Sequence, residues 1–158
     1  METYRHTQTG WLMLACAAVI LGFSVWVLGE VSEAERFPGG VIAFSVVAVL
    51  VVLFGWLTVI VSEDKVDIRF GVGLIRKRYD LKDFVDVQVV RNRWYYGWGI
   101  RMVPKGILYN VSGLDAVELK RANAKAVRIG TDEPQELKRA LREALNMVHT
   151  EHNDWQSL

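Results

Sequence analysis

The sequence contains one cysteine and three histidines among 158 residues, which limits the ways in which a small domain could be stabilised or loaded with metal. Cys16 alone cannot form a disulfide within the chain. The histidines do not provide the ligands at short spacing that are typical of a zinc site. His149 and His152 are close in sequence, but no third ligand of a suitable kind lies near them. We therefore expect neither a metal site nor a cofactor.

Charge is scarce in the first 62 residues. This part holds two of the 19 basic residues and four of the 18 acidic residues, and all the others fall within residues 63–158. Such a step in composition excludes a uniform soluble globule, and the apolar content of 51% excludes a disordered chain. We predict an N-terminal tail and membrane part over residues 1–62, a soluble domain over 63–150 and a tail over 151–158.

Two long uncharged runs lie in the membrane part, at residues 11–29 and 41–62. As helices they would reach about 28 and 33 Å, which matches a hydrocarbon core of about 30 Å. Valine in the second run favours a strand in water, but in lipid every backbone group must be satisfied within the segment, which favours a helix. The segment EVSEAERFPGG (30–40) between the runs is typical of a turn. We predict a transmembrane hairpin with helices over about 11–29 and 41–62.

Basic residues beside the runs predict the orientation of this hairpin. The linking segment holds only Arg36, whereas the 20 residues after the second run hold Lys65, Arg69, Arg76, Lys77, Arg78 and Lys82. The positive-inside rule then places both termini in the cytoplasm, in a multi-pass protein of the inner (plasma) membrane. The alternative is that the first run is a cleaved signal peptide, with the soluble domain outside. That run is longer than a signal core, and no small-residue cleavage site follows it.

The pattern changes at residue 65, where short alternating runs replace the long uncharged ones. Gly71-Val72-Gly73 turns the chain between the first two of these runs. Even spacing of this kind is typical of a sandwich or a barrel and not of parallel units with crossover helices. Seven strands are predicted, at residues 66–70, 74–79, 84–90, 99–103, 107–111, 116–119 and 126–129.

A helical period appears near the end of the sequence. The apolar residues at 137, 140, 141, 144, 145 and 148 form the stripe of an amphipathic helix. Asp132 is a natural N-cap and Pro134 suits the first turn. An apolar stripe must be buried, and the open end of a small barrel is the available place. The predicted fold class is therefore α+β, mainly β, with a transmembrane hairpin, a seven-stranded barrel or sandwich and a C-terminal capping helix.

The soluble half resembles the bacterial pleckstrin-homology (PH) domain membrane proteins. The resemblance covers residues 65–147 approximately, and its most specific segments are YGWGIR (96–101), GILYNVSG (106–113), VEL (117–119) and RIGTDEP (128–134). It implies a seven-stranded PH-like barrel with a C-terminal helix. It also implies that the domain is a binding or assembly module.

No catalytic constellation is visible in the sequence. Ser112, Asp115 and His149 provide the residue types of a nucleophilic triad, but no G-x-S-x-G elbow is present and nothing brings the three together. The glycines at 71 and 73 do not form a phosphate loop, because a strand and not a helix follows them. We therefore expect that the chain is not an enzyme.

Two segments are candidate binding sites. The first is the basic run Arg76, Lys77 and Arg78, which would be attracted to anionic lipid headgroups or would be an ordinary solvated strand edge. The second segment contains Arg91, Arg93, Trp94 and Tyr95. Aromatic and arginine side chains in one loop provide the large, rigid contact area that is enriched in protein interfaces. Trp98, close by, is expected to fill the core.

These observations lead to one main functional hypothesis and two alternatives. The main hypothesis is a membrane-anchored binding or assembly module that presents a cytoplasmic surface to a protein partner or to a second copy of the chain. The first alternative is a domain that senses anionic lipid at the inner leaflet. The second is a non-catalytic subunit of a membrane enzyme or transporter. Nucleic acid is not an expected partner, because the domain is tethered to a bilayer and is only slightly basic.

Overall fold

The computed structural model describes residues 2–30, 33–122 and 125–156, without the side chains of residues 2, 33–37 and 151–156. Within these ranges the chain is α+β, with nine strands in two sheets and three α-helices. Short 3-10 turns lie at Leu81–Asp83 and Trp94–Tyr96. In chain order the elements are β1 (Glu2–Thr9), α1 (Trp11–Gly29), α2 (Glu33–Phe54), β2 (Trp56–Ser62), β3 (Lys65–Phe70), β4 (Ile75–Asp80), β5 (Phe84–Arg91), β6 (Gly99–Val103), β7 (Gly106–Asn110), β8 (Asp115–Arg121), β9 (Ala126–Gly130) and α3 (Pro134–Gln156).

The helices α1 and α2 lie side by side as a hairpin. Helix α1 has the predicted bounds, and among the described residues it alone is long and apolar enough to cross a membrane by length and composition. Helix α2 begins at Glu33, so the predicted turn over residues 30–40 is largely helical. Gly39 and Gly40 allow this packing, because a Cβ atom on either glycine would lie only 3.1–3.2 Å from the Leu28 methyl groups.

The prediction of a single helix over residues 41–62 was wrong. Helix α2 ends at Phe54, and the remainder of the uncharged run forms the strand β2. Gly55 marks the change, since its amide donates to the Val51 carbonyl at 2.7 Å and a Cβ there would lie 2.5 Å from that oxygen. After Gly55 the β-branched residues of β2 pair with strands on both sides. Neighbouring strands therefore satisfy the backbone that lipid would have forced into a helix.

The N-terminal residues assigned to a tail form a strand. β1 pairs antiparallel with β2 from Glu2 opposite Ser62 to Thr9 opposite Trp56. The Gly10 amide donates to the Gly55 carbonyl at 2.8 Å, which joins the two strands at the point where both helices begin or end. The strand pair and the helical hairpin are therefore one continuous antiparallel unit.

All seven strands predicted from residue 65 onwards are present, and β1 and β2 are additional. The first sheet has the order β1-β2-β3-β4, and the second has the order β5-β8-β9-β7-β6. The pairing of β7 with β9 is parallel, whereas the other pairs are antiparallel. A seven-stranded barrel or sandwich was predicted, and the two sheets do not close on each other, so a barrel is not observed.

The core lies between the two sheets and is covered by α3. Phe70 and Tyr109 are fully buried and contribute from opposite sheets, with ring centroids 6.2 Å apart. The predicted stripe of α3 is buried at Leu137, Leu141 and Leu145, and the helix contacts strands of both sheets. The helix starts as expected, but the Thr131 hydroxyl, not Asp132, accepts a hydrogen bond from the Glu133 amide. The carboxylate of Asp132 instead contacts His6 of β1 at 2.6 Å.

Candidate functional site

A basic face lies on the outer side of the first sheet, which is the side turned away from the core. The strand register places Thr7 opposite Thr58, Thr58 opposite Arg69, and Arg69 opposite Arg76. The next row contains Arg5, Ile60, Asp67 and Arg78 in the same order across the sheet. Because side chains alternate between faces along a strand, these two rows place four arginines from three strands on one surface with Asp67, and a further row of the same face pairs Lys65 with Asp80.

Asp67 organises the arginines of this face. Its carboxylate accepts hydrogen bonds from Arg69 at 2.8 Å and from the Arg76 Nε at 2.9 Å, and the Arg78 Nε lies at 3.5 Å. Burial raises the pKa of Asp67, but hydrogen bonds from Arg76 and Arg69 and their charges outweigh burial and lower the pKa to about 2. The aspartate is therefore ionised at neutral pH and fixes the two guanidinium groups in place.

A groove of about 400 Å³ lies on this face, next to the turn between β3 and β4. Its cations are Arg5, Arg69 and Arg76, and no carboxylate of the described residues lines it. Its lining also includes Thr7 and Thr58, whose hydroxyl oxygens lie 2.9 Å apart. In this hydroxyl pair one group donates to the other, so the second keeps a free proton. The side of the groove towards the helices is formed by Trp56, Gly71, Val72 and Gly73.

The turn beside this groove is joined to helix α2. The Val72 amide donates to the Val52 carbonyl at 3.3 Å, and the Gly71 amide donates to the Trp56 carbonyl at 2.8 Å. Gly71 has a φ of 51°, and a Cβ on it would lie 1.8 Å from the Val52 oxygen, so only glycine fits at this position. The exposed tip of the turn is apolar, at Val72 and Leu74.

A second candidate surface is the loop between β5 and β6 on the second sheet. Trp94 is 76% exposed and Tyr95 is 55% exposed. The rings of these two residues meet edge to face at 6.0 Å, and Tyr95 meets Tyr96 in the same way at 5.1 Å. The Arg93 guanidinium donates to the Tyr95 hydroxyl at 2.6 Å. These contacts bring the rings together, so the loop presents a contiguous aromatic surface.

The surroundings of this loop are basic. A depression of about 230 Å³ is lined by Arg91, Arg93, Tyr96, Pro104, Lys105 and Arg128. Arg128 is neutralised by the buried Glu118, at 2.5 Å, and also reaches the Asn92 side chain at 3.4 Å. The other three cations have no carboxylate partner among the described residues. The loop therefore combines aromatic area with uncompensated positive charge.

The structure separates some of the predicted site residues and joins others. Arg76 and Arg78 lie on the basic face, whereas Lys77 is opposite the buried Ile68 and so lies on the other face of the sheet. Arg91 is the last residue of β5, and Arg93, Trp94 and Tyr95 lie in the loop that follows it. Trp98 does not fill the core: it is half-buried, and its indole N–H has no hydrogen-bond partner in the part of the chain that the structure describes.

Sequence reasoning missed Arg5 and Arg69 as site residues. Each is an isolated cation in the sequence, and only strand pairing brings them beside Arg76. A signal for Arg69 was available, because the turn at Gly71-Val72-Gly73 predicts a hairpin that places Arg69 near Arg76. No comparable signal existed for Arg5, since β1 was not predicted.

The described residues contain no group of three histidine, cysteine or acidic side chains arranged to hold a metal ion. His6 contacts the carboxylates of Asp132 and Glu133, at 2.6 and 3.3 Å, and these contacts attach β1 to the start of α3.

The sequence matches no protein-family profile and no curated protein.

Proposed function

We propose that this chain is a membrane-anchored binding or assembly module. The helical hairpin holds the two-sheet domain at the inner face of the membrane, and the domain presents the loop between β5 and β6 to a protein partner or to a second copy. The exposed pair Trp94 and Tyr95, whose rings pack edge to face, is the observation that carries this proposal. The basic surroundings of the loop favour an acidic contact surface on the partner.

The pairing of β1 with β2 supports a hairpin that crosses the membrane twice. These strands lie directly before α1 and directly after α2, and they pair along their whole length. If α1 alone crossed, β1 and β2 would lie on opposite sides of the bilayer and could not pair. The apolar part of α2, Pro38–Phe54, spans about 26 Å as a helix, which is near the lower limit for crossing. Cleavage after α1 would remove β1 from the sheet, which argues against a signal peptide.

The resemblance to bacterial PH-domain membrane proteins belongs to this proposal. Its support is the run of seven strands from β3 to β9 followed by the helix α3. Three features depart from the expected barrel: the two sheets do not close on each other, the strands β1 and β2 are additional, and β7 pairs with β9 in parallel. Because of these departures, the proposed binding role rests on the loop between β5 and β6 and not on the family resemblance alone.

Photo-cross-linking in native membranes tests the proposed interface. A cross-linking amino acid placed at Trp94 is expected to give a discrete adduct. The same group at Val85, which is 53% exposed near the start of the edge strand β5 and at the far end of that strand from the loop, is the matched control and is expected to give none. An adduct of twice the monomer mass identifies a second copy, and any other discrete mass identifies a different partner.

A stability measurement separates binding from folding at this position. Because Trp94 is exposed and outside the core, Trp94→Ala is expected to change the free energy of unfolding by no more than about 0.5 kcal/mol. Free monomer alone after cross-linking from position 94, in a chain of normal stability, would contradict the proposal.

A further inference from the structure

We propose that the groove lined by Arg5, Arg69 and Arg76 binds the phosphate group of an anionic lipid headgroup. This inference rests on the membrane placement proposed above, and it assigns a task to a different surface from the partner-binding loop. It also replaces the linear run Arg76, Lys77 and Arg78 with a set of residues drawn from β1, β3 and β4.

The charges and donors of the groove suit a phosphate. Arg69 and Arg76 are both bound to Asp67, so their guanidinium groups are fixed before a ligand arrives. Arg5 faces the same groove and has no carboxylate partner among the described residues. Planar guanidinium groups bind phosphate oxygens through pairs of hydrogen bonds. The free proton of the Thr7 and Thr58 pair adds a neutral donor.

The lining of the groove changes from apolar to cationic in the direction in which a lipid changes from apolar to anionic. Trp56 and Val72 line it on the side towards the helices, and the arginines line it on the side away from them. In a bilayer, acyl chains and glycerol lie on the side of the hydrocarbon, and the phosphate lies further out. A soluble anion needs no apolar wall, so the presence of Trp56 and Val72 favours a lipid as the source of the phosphate.

The height of the groove above the hairpin agrees with this assignment. The amide of Val72 bonds to Val52 in the last turn of α2, so the turn between β3 and β4 lies at the level of the helix end. Leu74, 74% exposed, projects at this level. Arg76 follows Leu74 by two residues, or about 7 Å along a strand. The polar layer of one leaflet is about 5–8 Å thick, so Arg76 lies at headgroup height.

Native mass spectrometry of the full-length chain in detergent tests the site. The protein is offered equal amounts of phosphatidylglycerol and phosphatidylcholine, and the ratio of the two adducts is measured. The wild-type chain is expected to retain phosphatidylglycerol preferentially. A cation at an anionic surface changes affinity about fivefold, so Arg5→Gln and Arg76→Gln should each reduce the preference by about that factor. Lys77→Gln removes the same charge from the opposite face and should leave the preference unchanged.

Two results would overturn the inference. Equal phosphatidylglycerol preference in the Arg5→Gln, Arg76→Gln and Lys77→Gln variants would exclude the groove as the site. Displacement of phosphatidylglycerol by inorganic phosphate at the same concentration would exclude a lipid as the source of the anion. Both results would leave the cross-linking from position 94 unaffected, so failure of this inference is distinguishable from failure of the proposed function.

Discussion

The two sheets differ in how they are attached to the helical hairpin. In the first sheet β1 and β2 run directly into α1 and α2, and the turn after β3 is hydrogen-bonded to α2. No strand of the second sheet is adjacent in sequence to either helix. The first sheet accordingly presents its basic groove beside the hairpin, whereas the second sheet presents an aromatic loop. One small domain therefore carries two candidate binding surfaces of different chemistry, one on each sheet.

Breaking the junction between the first sheet and α2 is expected to give the largest effect. Gly71→Ala places a Cβ 1.8 Å from the Val52 oxygen at a φ of 51°, so we expect a loss of about 3 kcal/mol or more in unfolding free energy. For a chain of this size the thermal midpoint in detergent should fall by about 10 °C.

Gly73→Ala is the matched control for the junction. Gly73 also has a positive φ, of 90°, but the nearest atom to a Cβ there is the Arg69 Cδ at 4.0 Å. This variant should therefore lose only the backbone strain, about 1–2 kcal/mol. Equal stability of the two variants would show that the contact between the turn and α2 does not stabilise the chain.

A smaller effect is expected from the carboxylate at the centre of the basic face. The pKa of Asp67 in the folded chain, about 2, is below the ordinary value of 3.8. A lowered pKa stabilises the folded state fully above pH 4, and this contribution is lost as the pH falls towards 2. Over that interval the loss is about 2 kcal/mol.

The pH dependence of unfolding for Asp67→Asn is the comparison that isolates this effect. The variant lacks the titrating group, so its stability should fall less between pH 4 and pH 2 than that of the wild-type chain. Parallel pH profiles for the two proteins would show that the ion pairs of Asp67 do not stabilise the folded chain.

The second sheet was the more predictable of the two. β5 to β9 are short apolar runs bounded by turn residues, and α3 has a buried stripe at helical spacing. β2 instead continues an uncharged run without a turn signal and has five of its seven residues buried, so its composition matches that of a membrane helix. β1 carries polar inward-facing residues such as His6 and Gln8, and it forms because it pairs with β2.

The candidate sites follow the same division. The aromatic loop is continuous in sequence, so its residues could be named together before the structure was known. The groove is assembled from β1, β2, β3 and β4, and its geometry depends on the register between them. A run of three basic residues indicated one of its arginines, but alternation along β4 turns Lys77 away. Long-range pairing, which single-sequence patterns do not encode, determines the rest.

Cysteine labelling from each side of the membrane tests the central claim most directly. In a chain with Cys16→Ala, single cysteines are introduced as Thr3→Cys in β1, Lys82→Cys after β4 and Arg36→Cys at the far end of the hairpin. We predict that positions 3 and 82 are labelled only from the cytoplasmic side and position 36 only from the other side. Labelling of position 36 from the same side as positions 3 and 82 would contradict a hairpin that crosses the membrane.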